Sequence, residues 1–209
     1  MGKVNNEKDR LYSLIPLDDF KALLGFDDRE DKTSRFCLVT ATFAIEQYCK
    51  RRFILKKYHE QFENPVDLQL TLKEYPVREV LAVYAREKNI GKPIEPDFYE
   101  LIPDENTIDD FPYFVKLSRA FRRMRHLTGF KVVYKAGYEV GTAGDVGCVP
   151  ADLACACLEL AAWKMGRYKG RMIGTSGVVR GNGRGGEHFE LSMPENVRSL
   201  LEPYKRRVI

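Results

Sequence analysis

Between Asn64-Pro65 and Tyr75-Pro76 the chain reads Val66-Asp67-Leu68-Gln69-Leu70-Thr71-Leu72, with an apolar residue at every second position. Successive side chains of a strand point to opposite faces, so this alternation predicts a half-buried β-strand. Upstream the period is different. From Asp31 to Arg52, Phe36, Val39 and Phe43 form one stripe, and Leu38, Ala41, Ile45 and Tyr48 form an adjoining one. Spacings of three and four predict a long helix, here with a wide buried face. The stretch at 66–72 marks where a helical chain turns into a sheet.

Downstream of it, Val77 to Arg86 is β-branched and apolar and reads as a second strand. Gly91, Pro93 and Pro96 predict a turn region, Phe98 to Ile102 a third strand, and Asp104 to Asp110 an acidic turn. Tyr113 to Leu117 and Phe130 to Lys135 supply two more strands. Residues 59 to 140 are therefore expected to form one small sheet of about five strands.

Helical grammar occupies both ends. Near the start, Asp18 is a good N-cap, Phe20, Leu23 and Leu24 give a short apolar stripe, and Gly25 closes it. After the glycine-rich Gly141 to Gly147, Pro150 and Asp152 open a helix that carries Leu153, Ala156, Leu160 and Trp163 to about Tyr168. Ala151, Ala154, Ala156, Ala161 and Ala162, with Cys155 and Cys157, let a neighbouring helix approach closely. Pro194 to Tyr204 is a final short helix whose apolar side is Val197, Leu200 and Leu201. The expected class is α+β: a helical bundle built from residues 1–58 and 149–209, with a small antiparallel β-sheet inserted at 59–148.

A chain of 209 residues with 44% apolar and 31% charged residues has the balance of a globular protein. No apolar run is long enough to span a membrane, and the beginning, MGKVNNEKDR, has no apolar stretch of a signal peptide. A soluble protein retained in the cytoplasm of the producing cell is expected. Five cysteines fit a reducing compartment, and their spacing lacks a metal-binding pair; small buried thiols are expected. The net charge of +4 is unevenly spread. Residues 1 to 31 hold eight acids against five bases, and Pro112 to Tyr138 hold seven bases and no acid. This asymmetry points to an acidic partner for one surface, protein or nucleic acid.

Catalysis needs converging acid, base or nucleophile groups, and the sequence offers none. His59, His126 and His188 stand apart, at a helix-to-strand junction, after an arginine run and after a glycine loop; solvated histidines are expected. Asp18-Asp19, Asp27-Asp28 and Asp109-Asp110 fall in helix starts and turns, where caps and solvation account for them. Gly181-Asn182-Gly183-Arg184-Gly185-Gly186 precedes a charged extended stretch and opens no helix, so a loop or hairpin is expected there, without nucleotide. No catalytic residue, metal or cofactor is expected.

Two basic stretches remain. Arg119, Arg122, Arg123 and Arg125 lie in one run with Phe121 and Met124 between them. The run is either a solvated turn with its apolar residues tucked under, or an electrostatic contact with a DNA backbone or an acidic neighbouring subunit. No base-reading motif accompanies it. At the other stretch, Leu200, Leu201, Tyr204, Arg206, Arg207, Val208 and Ile209 combine an amphipathic helix end with a basic, β-branched tail. That end either packs on its own subunit or docks on a partner.

Three segments together resemble the head-tail connector (adaptor) family of tailed bacteriophages. They are Leu17-Asp18-Asp19-Phe20-Lys21-Ala22-Leu23-Leu24 followed by Ala41 to Arg52; Val149-Pro150-Ala151-Asp152-Leu153 continuing to Trp163 and Arg167-Tyr168; and Met193-Pro194-Glu195-Asn196-Val197 ending in the basic tail. The strands between them resemble the longer branch of that family, in which a β insertion separates the helices. The resemblance implies a structural, non-enzymatic subunit forming a ring of twelve beneath the portal protein, in the host cytoplasm during assembly and at the head-tail junction of the virion. Such a ring would pass double-stranded DNA without sequence-specific binding, carry a stopper or tail-completion protein below it, and touch no membrane. It further implies that the C-terminal residues named above dock on the portal. A stopper or tail-completion protein of the same neck, or a non-specific DNA-binding protein, are the alternative readings.

Overall fold

The computed structural model describes residues 11–63, 68–87, 90–103, 112–123, 127–141, 145, 148–170, 178–180, 186–188 and 193–206. At 90, 103, 112–113, 122–123, 178–180 and 186–188 it describes the backbone alone. The fold is α+β, and the chain divides into two units, Met1–Arg51 with Val140–Ile209, and Arg52–Glu139.

In the first unit, α1 (Leu17–Leu24), α2 (Asp31–Cys49), α3 (Ala151–Lys169) and α4 (Glu195–Leu201) bury one apolar core. The helix α1 ends as expected at Gly25, whose φ of +67° is the left-handed conformation that glycine adopts at least cost. Its start is two residues earlier than expected, at Leu17, with Pro16 in place of Asp18 as the capping residue and no side-chain cap. The helices α2 and α3 pack on each other through small residues. Ala41, Thr42 and Ile45 on α2, and Ala156, Cys157 and Leu160 on α3, are buried to within 1%. Thr42 Oγ1 accepts from the Leu14 amide at 3.2 Å and lies 3.7 Å from Cys157 Sγ. The alanine-rich sequence of α3 is thus used as expected, for close approach. Leu201 and Tyr204 close the core, Tyr204 from a 3-10 turn (Glu202–Tyr204) that continues α4.

One expectation for α2 is overturned. Leu38, Ala41 and Ile45 are fully buried, but Phe36 is 50% and Phe43 is 44% exposed. The core-facing side of α2 is taken by Cys37, Leu38, Ala41, Thr42, Ile45 and Cys49, and at about 100° per residue Phe36 and Phe43 fall on the other side. The helix also stops at Cys49 instead of Arg52, because Lys50 turns left-handed at φ +55°.

The second unit holds two sheets where one was expected. A four-stranded antiparallel sheet has the order β1-β7-β3-β4, from β1 (Lys56–Phe62), β7 (Gly129–Ala136), β3 (Val77–Glu87) and β4 (Ile90–Ile94). A three-stranded sheet has the order β2-β6-β5, from β2 (Gln69–Thr71), β6 (Pro112–Leu117) and β5 (Tyr99–Pro103). One face of each shares a single core that includes Leu70, Leu72, Val83, Val115, Val132 and Tyr134. The alternating stretch at 66–72 supplies that core, although only Gln69–Thr71 pairs as strand. β1 and β4 were not foreseen. His59 consequently sits inside a strand and not at a junction, and the proposed turn at Gly91 and Pro93 is an edge strand, the position where a ladder tolerates proline. A small antiparallel pair, β8 (Val178–Arg180) with β9 (Gly186–His188), makes a hairpin in the glycine-dense stretch. Residues 174–177 and 181–185 of that stretch, and the acidic turn at 104–110, lie outside the described residues.

Glu60 on β1 accepts from the Tyr134 hydroxyl and, at 3.0 Å, from the Lys73 amide. Burial pushes its carboxyl above its usual value of 4.5, against the lowering effect of those two donors. The folded state therefore holds the Glu60 proton more tightly than the unfolded chain does. Its stabilising share is full below pH 4.5 and declines as pH rises through the raised value. Glu60→Gln keeps an acceptor for Tyr134 and cannot ionise. Urea midpoints at pH 4, 5.5 and 7 should show the wild type losing ground to this variant as pH rises. A wild type that gains on it would contradict the assignment.

Candidate functional site

The described residues contain no convergent catalytic group. No cluster of three or more His, Cys, Asp or Glu side chains stands ready for a metal ion among them, and no helix is long and apolar enough to cross a membrane. Cys37, Cys49 and Cys157 are buried, and burial pushes the Cys49 thiol up to about 12 and Cys157 to about 11, so both stay protonated. Cys155 departs from the expected burial: it is exposed, on the opposite side of α3 from Cys157. What the structure offers instead of a catalytic centre is two exposed faces, one on each unit.

On the helical unit, Phe36 and Phe43 stand seven residues apart on α2, so they share a face, with Val39 half-buried between them. Tyr168 of α3 meets Phe36 edge-on, with ring centroids 5.4 Å apart. Tyr12 stacks on Phe43 at 5.1 Å. These four rings form an aromatic row that its own chain leaves partly uncovered. Leu23, on α1, is 68% exposed. The acids foreseen near the start gather beside Lys21, whose ammonium lies 2.6 Å from Asp31 and also binds Asp28. Those two carboxylates hold the Lys21 ammonium well above the usual lysine range.

On the sheet unit, the register places Lys57, His59 and Gln61 of β1 opposite Lys135, Val133 and Lys131 of β7. Tyr84 of β3 flanks Lys131 on the other side, and Arg86 follows two residues on. The side chains of this set turn away from the shared core. They border an open cavity of about 470 Å³ lined by Lys57, His59, Gln61, Tyr84, Arg86 and Lys131 among others, with no carboxylate among its described lining residues. Sequence reading missed this surface, because its bases are far apart in the chain.

The residues singled out from sequence fare differently. Arg119 is exposed at the start of a 3-10 turn (Arg119–Arg123) between β6 and β7. Phe121 tucks under that turn, 5.7 Å from the Phe130 ring. The side chains of Arg122 and Arg123, and all of Arg125, lie outside the described residues. In the C-terminal set, Leu201 is fully buried and Tyr204 is 3% exposed, with its hydroxyl donating to Asp152 Oδ1 at 2.5 Å. Both belong to the core of the helical unit and are not free to dock. Leu200 and Arg206 are half-buried, and the Arg206 amide donates to the Cys49 carbonyl at 2.8 Å. Arg207, Val208 and Ile209 lie outside the described residues.

No protein-family model matches the sequence, and no curated protein matches it. Solved structures do match. A chain in the neck of an empty gene transfer agent (GTA) particle, computed with C6 symmetry, is 20% identical with a TM-score of 0.58, covering 94% of this chain and 92% of that one. A chain in the virion of a native GTA particle is 21% identical with a TM-score of 0.61, over 94% and 92%. A third, from the neck of a native GTA particle computed with C12 symmetry, is 20% identical with a TM-score of 0.56, over 94% and 91%. This chain has the fold of a GTA particle chain. The likeness spans nearly the whole length of both chains, helices and strands alike. At this level of identity it speaks for the fold and leaves the roles of individual side chains to the geometry above.

Proposed function

We propose that the protein is a structural, non-enzymatic neck subunit of a phage-like particle, a head-tail connector (adaptor) that assembles as a ring. The observation that carries this reading is the full-length fold likeness to chains of particles whose necks were computed with six- and twelve-fold symmetry. The aromatic row Phe36–Phe43 with Tyr168 and Tyr12 fits the same reading. In a closed ring two different surfaces of each copy meet, and a row of half-covered rings on one of them is an apolar face for the next copy. A ring of twelve would sit beneath a portal protein, continue the DNA channel, and offer a platform to a stopper or tail-completion protein. The portal contact is assigned to the basic end, Arg206, Arg207, Val208 and Ile209, since Leu201 and Tyr204 are used inside the subunit.

Phe36→Ser with Phe43→Ser changes only exposed positions, so the subunit should keep its circular dichroism and its thermal midpoint within a few degrees. Native mass spectrometry and negative-stain imaging on portal-bearing heads should then find wild-type rings and monomeric variant. Deletion of residues 207–209 should leave rings that no longer attach to those heads. Rings that form normally in the double variant would remove the aromatic row from the interface. Absence of any ring from the wild type on portal-bearing heads would overturn the connector reading itself.

A further inference from the structure

The exposed face of the four-stranded sheet carries more positive charge than a solvated sheet needs. Lys57 of β1 and Lys135 of β7 are directly opposite each other, and like charges in that position weaken a ladder. Lys135 is relieved by Glu79 at 2.8 Å. Among the described residues, neither Lys57 nor Lys131 has a carboxylate within ion-pair distance. Arg86 is held in place by a neutral group, donating from Nη1 to Gln61 Oε1 at 2.9 Å. Three cations on three adjacent strands thus border one open cavity; in register Arg86 and Lys131 lie two residues apart and Lys57 four residues beyond Lys131, a run of roughly 20 Å along the strands.

We infer that this sheet face is a sequence-independent contact surface for the phosphodiester backbone of double-stranded DNA. The chemistry narrows the partner in three steps. The amides of β7 and β3 are committed to the sheet ladder and the unpaired ones of the edge strand β1 point outward in the plane of the sheet, so no nest of N–H groups faces the cavity to hold a small anion. Long, singly charged side chains spread over about 20 Å suit a polyanion with spaced charges. An acidic peptide would need an apolar anchor, and the described lining of the cavity offers only the buried Val133 and the half-buried Tyr84. A single-stranded nucleic acid would need a series of stacking rings, whereas the described lining of the cavity offers only Tyr84 and the imidazole of His59. A duplex backbone needs neither. The surface lies outside the aromatic row and the basic C-terminus, and the inference holds whether or not the subunit forms a ring.

The test uses the full chain and a fluorescein-labelled 24-base-pair duplex of random sequence, read by anisotropy between 50 and 200 mM NaCl. Each phosphate neutralised contributes about −0.9 to the slope of log affinity against log salt. Lys57→Gln with Arg86→Gln and Lys131→Gln should therefore flatten the slope by about 3 and weaken binding at least tenfold at 50 mM salt. The thermal midpoint should stay level or rise, as like charges are removed. Lys57→Gln alone, at a fully exposed position, should flatten the slope by about 1 and keeps the test open if the triple variant misfolds. The comparison variant neutralises Arg119, Arg122, Arg123 and Arg125. Unchanged binding by the triple variant, or loss only in the arginine-run variant, would overturn the inference. So would a wild type that ignores the duplex at 50 mM salt, or one from which polyglutamate or inorganic phosphate displaces the duplex at equal charge. Native mass measured on the same samples reports ring formation separately, so either proposal can fail without the other.

Discussion

Tyr204→Ala is expected to lower the unfolding free energy by about 3–5 kcal/mol, the range for removing a large buried ring. The side chain is 3% exposed at the end of the chain's last helical turn, where a fraying terminus would ordinarily sit. Its ring fills the core of the helical unit, and its hydroxyl bonds the Asp152 carboxylate at the start of α3. Alanine leaves a cavity and takes away that donor. Tyr204→Phe removes the donor alone; because Asp152 is exposed and can turn to water, the loss should be about 1 kcal/mol. Urea denaturation of the three proteins separates the two contributions. An alanine variant within about 1 kcal/mol of wild type would mean that the C-terminal turn is an appendage and not a part of the core.

Gly129→Ala should cost the sheet unit about 3 kcal/mol or more, from backbone strain and steric overlap together. Gly129 has a φ of +152°, which L-residues rarely adopt, and a Cβ there would lie 2.3 Å from the Phe62 carbonyl oxygen. The strand cannot slide away from that contact. The next residue, Phe130, is in register with Phe62 on one side and Ala85 on the other, so β7 is clamped between β1 and β3. Gly25→Ala is the matched comparison. Its φ of +67° carries the same kind of conformational strain, but nothing lies within 4 Å of the added methyl. It should lose only about 1 kcal/mol, the cost of a left-handed alanine. Equal losses at both positions would show that conformation alone, and not the approach of β1, fixes Gly129.

The helices were legible because their signals are local. Pro150, Asp152 and the run Leu153, Ala156, Leu160 define the start and buried face of α3, which begins at Ala151 with Pro150 as its capping residue, one residue after the expected opening. β1 was invisible for an equally physical reason. Its outward residues Lys57, His59 and Gln61 alternate with Tyr58, Glu60 and Phe62, so one inward position is a carboxylate and the hydropathy contrast vanishes. β4 was hidden by Gly91 and Pro93, residues that mark a turn unless a neighbouring strand is known to make them an edge. Phe36 and Phe43 resembled core because periodicity reports which face is apolar, not what covers it. The basic sheet face could not be read at all. Lys57, Arg86 and Lys131 come to one face only through strand register, whereas the contiguous arginine run at 119–125 drew the eye.

The four-stranded sheet ends in β1 on one side and β4 on the other, and both borders are poor templates for another strand. Pro93 has no amide hydrogen to offer, Gly91 has no side chain to zip against a neighbour, and Lys56 and Lys57 bring charge to the opposite border. If the chain accumulates in many identical copies, as the proposed ring requires, stacking edge to edge into fibres is the danger as its concentration climbs. Here the open-ended route is blunted at both borders. The proposed ring would then be left to side-chain surfaces, which can close on themselves at a fixed number of copies.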